Sequence, residues 1–307
     1  MKILLATTAI LTASTAMADG VNYGRLSYDF SRFEQGSNEA ELGLLQGAIE
    51  YEISQFLLFG ELSNQSAENG GSLDRTTLKA GAGYVLSPEA LIGAGLIRNS
   101  YDYDADGLEA DGDTSGFEVF GQYQTAQFGV GLNISVPDTD FDDQTLAQFF
   151  GEYAVAPGID LGLWLASDSE VDGTTYKFSA DYVQDAITAR GYLLGDTDVD
   201  AGIFGARGSY AFTDQIRAAA TFETTYGDDA ADINFVAIGG GYKITDGVWF
   251  DADYGVVSGD DIGSDIDRLQ AAITFETGTR TRIDDRFAQD ATNDNQAGLG
   301  SFLAISN

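Results

Sequence analysis

The chain contains no cysteine and no histidine, and only 3 of its 307 residues are proline. Without cysteine an exported chain has no disulfide framework, so backbone pairing and packing have to supply its stability. Without cysteine the chain has no thiol nucleophile, and without histidine it has no Ser–His triad and no imidazole for acid–base catalysis. We therefore expect no enzyme activity. The scarcity of proline suits paired strands, because a strand inside a sheet needs its backbone N–H groups.

Long apolar runs are also missing, except near the start of the chain. No later segment reaches the roughly 18 consecutive apolar residues of a membrane-spanning helix. Residues 1–18 combine Lys2, an apolar run from Ile3 to Leu11, and the small residues Ala16 and Ala18 at the expected cleavage site. This is the pattern of a secretory signal peptide, so we expect a mature chain that begins near residue 19.

What the mature chain does contain is a regular alternation of apolar and polar residues. In residues 128–136 the apolar positions are Phe128, Val130, Leu132, Ile134 and Val136. Residues 176–182 and 269–275 show the same period of two, which gives a strand one apolar and one polar face. Short alternating segments separated by turns are typical of an all-β transmembrane β-barrel, antiparallel and up-and-down. A secreted all-β sandwich or solenoid is the alternative.

The connections between these segments predict sixteen strands between about residues 21 and 276. Seven short turns are expected near residues 52–55, 87–89, 125–127, 156–158, 184–185, 213–214 and 245–247. Eight longer polar connections are expected near residues 34–38, 66–73, 102–115, 138–143, 167–173, 196–200, 227–231 and 259–264. Fourteen strands remain possible, because the alternation is weak in residues 39–51, 56–64 and 91–101.

These boundaries divide the chain into a signal peptide at residues 1–18, a barrel at residues 19–277 and a polar tail at residues 278–307. An even number of strands places both ends of the barrel on one side, where short turns usually face the periplasm. The tail could lie in the periplasm or plug the pore.

Acidic residues outnumber basic ones by 49 to 15, and the two signs occupy different places. The predicted outer connections carry almost only acids, whereas the basic residues alternate with small polar residues on the predicted strands. These basic residues are Arg25, Lys79, Lys177, Arg190, Arg207, Arg217, Lys243 and Arg268. Because a charge facing lipid costs about 2–4 kcal/mol at mid-bilayer, we expect them to face the lumen.

Aromatic residues cluster beside the predicted short turns and near the ends of the longer connections, Phe33 and Phe235 among them. Two such clusters predict aromatic belts at the two membrane interfaces. Ordinary β-propensity of tyrosine and phenylalanine is the alternative explanation.

In architecture and charge pattern the chain resembles the general diffusion porins of Gram-negative bacteria, especially the acidic-loop porins of alphaproteobacteria. The resemblance implies a homotrimer whose third outer loop folds into the pore and faces a basic cluster. On that basis the acidic side of a pore constriction comprises Asp104, Asp106, Glu109, Asp111 and Asp113. The basic side comprises Arg190 and Arg207, with Arg25 behind them. Alternatively, the loop acids only solvate the surface.

The same acidic segment has some features of a calcium-binding loop. Asp102, Asp104 and Asp106 alternate before Gly107, and Asp113 stands where a twelve-residue loop places its last ligand. Alternate carboxylates around a glycine turn can wrap a hard cation in oxygen ligands. Asp113 is shorter than the usual glutamate, and no helices flank the segment, so a solvated surface is the alternative here too.

Together these patterns predict passive diffusion of ions and small hydrophilic solutes through the outer membrane of a Gram-negative bacterium. The expected partners are membrane lipids and lipopolysaccharide, and the strong acidity argues against nucleic acid. A non-conducting outer-membrane surface protein, acting in adhesion or cation binding, is the alternative function.

Overall fold

The computed structural model describes residues 21–105, 108–138, 145–170, 172–228, 230–260 and 262–283. The predicted signal peptide and residues 284–307 of the tail lie outside this part of the chain. In chain order the strands are β1 Val21–Gln35, β2 Asn38–Ile53, β3 Phe56–Glu68, β4 Gly71–Ser87, β5 Ala90–Ala105, β6 Leu108–Gln124, β7 Phe128–Asp138, β8 Leu146–Ala156, β9 Ile159–Asp168, β10 Thr175–Gln184, β11 Ile187–Asp196, β12 Gly202–Ala211, β13 Ile216–Tyr226, β14 Asn234–Thr245, β15 Val248–Ser258 and β16 Ile266–Gly278.

These sixteen strands form one closed antiparallel barrel in which each strand pairs with its neighbours in the chain. The ring is closed by β1 and β16, which pair from Tyr23 opposite Gly278 to Glu34 opposite Asp267. The predicted up-and-down barrel and the count of sixteen strands are therefore confirmed. Closure matters because it leaves no sheet edge with unpaired backbone groups.

None of the helices in the described ranges is long and apolar enough to cross a membrane.

The two ends of the barrel differ in their connections. At one end, called the turn rim here, all connections are short and fall at residues 54–55, 88–89, 125–127, 157–158, 185–186, 212–215 and 246–247. These positions confirm the seven predicted turns. The opposite end, called the loop rim, holds the other eight connections. Both ends of the barrel wall, Val21 and Gly278, lie at the turn rim.

Three of the predicted outer loops are much shorter than expected. In each, the two strands continue into the predicted loop and are joined by only two residues. Residues 34–38, 66–73 and most of 102–115 extend β1 to β6, which are 13 to 17 residues long. The segment at 102–115 pairs regularly up to Ala105 opposite Leu108. Tyr101 covers Gly112 across the strands, where an added Cβ would lie 2.6 Å from the ring. An aromatic side chain over a cross-strand glycine stabilises a strand that its composition alone predicts as a loop.

Burial is inverted relative to a water-soluble protein. The outward face carries exposed aliphatic side chains, with Leu96 at 70% exposure and Ile238 at 67%. The buried polar and charged side chains on the strands are Ser27, Ser31, Gln46, Glu50, Glu118, Asn133, Ser135, Lys177, Glu223 and Arg268. Strand pairing places all of them on the inward face. Apolar outside and polar inside is the arrangement of a transmembrane barrel.

The predicted aromatic belt is present at the turn rim. Its outward and exposed members include Phe56, Tyr84, Tyr123, Phe128, Tyr153, Tyr210, Phe212, Tyr242 and Phe250. Near the loop rim the prediction is wrong for Phe33 and Phe235. Both are buried on the inward face, in a cluster with Tyr192 and Val257. Strand alternation decides the side on which an aromatic lies, whereas proximity to a loop does not.

Replacing outward Leu132 on β7 with arginine tests the assignment of the two faces. We expect Leu132→Arg to lower the free energy of unfolding in lipid vesicles by about 2–4 kcal/mol, because the charge would face lipid. The matched control is Gln148→Arg on the neighbouring strand β8, whose side chain faces inward. Denaturant titration in vesicles measures both changes, and equal losses would contradict the assigned faces.

Candidate functional site: the barrel lumen

The inward face of β10 to β13 carries paired charges of both signs. Arg190 on β11 and Arg207 on β12 are direct cross-strand partners. The Arg190 Nε atom lies 2.6 Å from Oδ1 of Asp181, and the Arg207 Nη2 atom lies 3.7 Å from Oε1 of Glu223. Each arginine of this neighbouring pair therefore has a carboxylate partner, which lowers the repulsion between the two.

Tyr192 anchors the centre of this group. Its hydroxyl donates to the buried Glu223 carboxylate. Two cations lie over its ring, with Lys177 Nζ at 5.7 Å and Arg207 Cζ at 5.8 Å from the ring centroid. Hydrogen bonding and cation–π attraction together hold charged side chains against an apolar ring on the lumen wall.

A second inward group lies on β13 to β16. Arg217 makes a bidentate contact with Asp251 at 2.7 and 2.9 Å and stacks on Trp249 at 4.3 Å. Arg268 donates to Asp253 at 2.6 Å and lies over the Phe235 ring at 4.6 Å. Both arginines have their planar guanidinium fixed by a carboxylate and a ring, which suits a rigid pore lining.

The predicted basic residues all face inward but do not form one cluster. Arg25 on β1 lies opposite Glu276 of β16 and Ala48 of β2. Four strands of the ring, β16 to β13, lie between it and Arg207, and five lie between it and Arg190. The structure thus brings Arg190 and Arg207 together and leaves Arg25 on another part of the wall.

The predicted acidic side of the constriction faces the other way. Asp104 lies opposite Glu109 and Asp102 opposite Asp111, in regular register with Leu96 opposite Phe117 on the outward face. Asp113 continues this face and contacts Arg98, which is also outward, at 3.2 Å. The four described acids of the constriction set therefore point away from Arg190 and Arg207. Alternation through an unbroken hairpin causes this orientation, and Asp106 lies outside the described residues.

Calcium binding at the same hairpin stays a prediction, because Asp106 belongs to the proposed ligand set. Residues 102–105 and 108–113 run as paired strands and do not wrap around a central point. No group of three or more acidic, cysteine or histidine side chains suited to a metal ion occurs among the residues that the structure describes.

A cavity of about 550 Å³ opens beside Arg190 at the turn rim. Its lining includes Gln124, Glu152, Asp160 and Asp181. Asp160 and Asp181 are direct cross-strand partners, so acidic side chains outnumber the single arginine among the charged residues of the lining. This cavity shows that the lumen has room for solvent or a small solute next to the predicted arginines.

The first described residues of the tail enter the lumen. Arg282 is buried, with its Nη2 atom 3.1 Å from Oε1 of Glu118. Arg280 forms an ion pair with Glu61. The sequence alone is compatible with a periplasmic tail or a pore plug. Thr279–Ile283 lie among inward side chains, whereas residues 284–307 lie outside the described part of the chain. The sequence contains one signal for this placement of the tail. Arg280 and Arg282 stand at alternate positions in a predominantly acidic chain.

Solved structures share this fold at low sequence identity. A mutant of the Rh. blastica porin superposes with a TM-score of 0.52 at 13% identity, covering 83% of this chain and 100% of that chain. Pseudomonas aeruginosa OccK9 (OpdG) gives 0.51 at 12% identity, over 84% of this chain and 97% of that chain. CdiB from Acinetobacter baumannii gives 0.57 at 9% identity, over 85% of this chain and 60% of that chain.

No protein-family model and no curated protein sequence matches the chain. The structural likeness therefore establishes the barrel fold, and the function has to be argued from the lumen itself.

Removing the charge of Glu223 tests whether the lumen pairs are energetically important. We expect Glu223→Gln to destabilise the barrel by about 3–5 kcal/mol, because it leaves Arg207 beside an uncharged partner. The control is Asp113→Asn in the exposed pair with Arg98, where about 0–1 kcal/mol is expected. Denaturant titration in vesicles compares the two variants. A larger loss at Asp113 would contradict the described lumen.

Proposed function

We propose that the chain forms a diffusion channel in the outer membrane of a Gram-negative bacterium. The observation that carries the proposal is a closed barrel with exposed aliphatic residues outside and charged residues of both signs inside. A sixteen-stranded barrel is wide enough to enclose an aqueous passage. The barrel fold shared with a porin supports the same reading.

The transported molecules in this proposal are ions and small hydrophilic solutes. Paired charges on the lumen wall, such as Arg190 with Asp181 and Arg217 with Asp251, can exchange contacts with passing polar groups. The acidic cavity beside Arg190 favours cations near the turn rim, whereas the adjacent arginines oppose them. Passive diffusion needs no turnover cycle, which agrees with a chain that lacks cysteine and histidine.

Several finer features belong to the same proposal. The resemblance to acidic-loop porins supports a homotrimer in contact with lipids and lipopolysaccharide. Asp102, Asp104, Glu109 and Asp111 face outward at the loop-rim ends of β5 and β6, where divalent cations can bridge carboxylates to lipid phosphates. In this arrangement the hairpin acids act at the outer surface and the arginines act in the lumen.

Single-channel recording in planar bilayers tests the channel. Stepwise current from folded protein supports the proposal, and repeated silence from protein that migrates as a folded barrel would contradict it. A non-conducting surface protein would then be the better account.

The ion selectivity of the channel tests which charged side chains act in the pore. Replacing both Arg190 and Arg207 with serine should shift the reversal potential toward cation selectivity, because two positive charges leave the lumen while Asp181 and Glu223 remain. The shift is measured in a salt gradient. The control is the double variant Asp102→Asn and Asp111→Asn on the outward hairpin face, which should shift selectivity much less. The reverse order of effects would contradict the described faces.

A further inference from the structure

We propose that residues Thr279–Ile283 act as a tethered plug that crosses and closes the lumen of the channel proposed above. The inner wall near the turn rim then functions as a binding site for an arginine-containing peptide segment, which the chain occupies with its own tail. This inference rests on the proposed channel function.

The segment is directed into the barrel where β16 ends. Gly278 has a φ of +78°, a left-handed conformation that other residues rarely adopt. A Cβ there would collide with the carbonyl oxygen of Asn22 on β1. The next residue, Thr279, donates its N–H to the same Asn22 carbonyl at 2.9 Å. Glycine thus permits a turn that sends the chain inward from the closing strand pair.

The backbone of the segment is held by two side chains from different strands of the wall. Glu50 on β2 accepts the N–H of Thr281 at 2.7 Å and that of Arg282 at 3.2 Å. Gln122 on β6 donates to the carbonyl of Thr281 at 2.7 Å and accepts the N–H of Ile283 at 2.9 Å. Inward side chains therefore satisfy backbone groups that have no strand partner.

Both arginines of the segment are bound as buried cations. The Arg282 guanidinium stacks on Phe59 at 3.8 Å and Phe120 at 4.2 Å while it pairs with Glu118. Arg280 lies over the Tyr23 ring at 5.3 Å, and its Nε is 3.8 Å from Oε1 of Glu50. Burial of a charge is costly unless it is paired, so these carboxylates and rings form a site that matches two guanidinium groups.

The last described residue of the segment is anchored in an apolar contact. Ile283 is buried against Phe150 of β8, with Trp164 of β9 packed on the same cluster. A Cβ added at Gly129 on β7 would lie 2.9 Å from the Ile283 Cδ1 atom. Glycine at this position therefore leaves room for the isoleucine side chain.

The described contacts of the segment lie on β1 to β9, which form about half of the ring. They begin at β1 and β2 and end at β6, β7 and β8. In a ring of sixteen strands, β1 and β8 lie nearly opposite each other. A segment bound at both places obstructs the passage near the turn rim.

A reversible cross-link tests the plug in the full chain, which has no cysteine of its own. The variant carries Gly129→Cys and Ile283→Cys, and we expect a disulfide to form under oxidising conditions. Oxidation should bring the open fraction close to zero, and reduction in the bilayer chamber should raise it roughly tenfold or more, because only the reduced chain can populate the released state, a minor state of about 0.1–10%. Failure of the disulfide to form, or an unchanged current on reduction, would overturn the proposal.

Charge removal provides an independent comparison. The full-chain double variant Arg280→Gln and Arg282→Gln should be open more often than the unmodified chain. The control is Arg32→Gln, whose side chain faces outward and pairs with Glu34 and Glu39. Equal open fractions in all three folded proteins would refute the plug but leave the channel intact. Silence in all three would refute the channel, and with it the plug.

Discussion

Backbone hydrogen bonding in lipid is the constraint on which this structure depends. A strand inside a bilayer has no water to satisfy its N–H and C=O groups, so the sheet has to close on itself. Here the closing contact is the ladder between β1 and β16, which runs for most of the length of both strands. This ladder joins the two ends of the barrel wall. The other strand pairs are formed between consecutive strands of the chain.

Closure also creates an interior in which charged side chains are shielded from lipid. The inward arginines are fixed by carboxylates and aromatic rings, as with Arg217 between Asp251 and Trp249. The tail uses the same chemistry, since Arg282 pairs with Glu118 between two phenylalanine rings. Lumen wall and tail are therefore complementary in charge.

Much of the fold could be predicted from local sequence, because strand alternation and turn residues are local properties. The seven turns, the strand count and the inward position of Arg190 and Arg207 follow from a period of two. The orientation of Asp104 and Asp111 could not be predicted from local sequence, because it depends on strand pairing that continues through residues predicted as a loop. Placement of Arg282 in the lumen depends on a partner distant in the chain, Glu118. A single sequence does not reveal such contacts.

The most direct test of this account is a disulfide across the closing strands. Glu34 and Asp267 are exposed cross-strand partners near the loop rim, and the natural chain has no cysteine. With cysteine at both positions, folded protein in membranes should cross-link rapidly under mild oxidation. Cysteines at Glu34 and Leu269, one diagonal step along the same face, should cross-link poorly, because diagonal positions are roughly 7–8 Å apart. Absence of the first cross-link, or equal rates for both pairs, would contradict a barrel closed in this register.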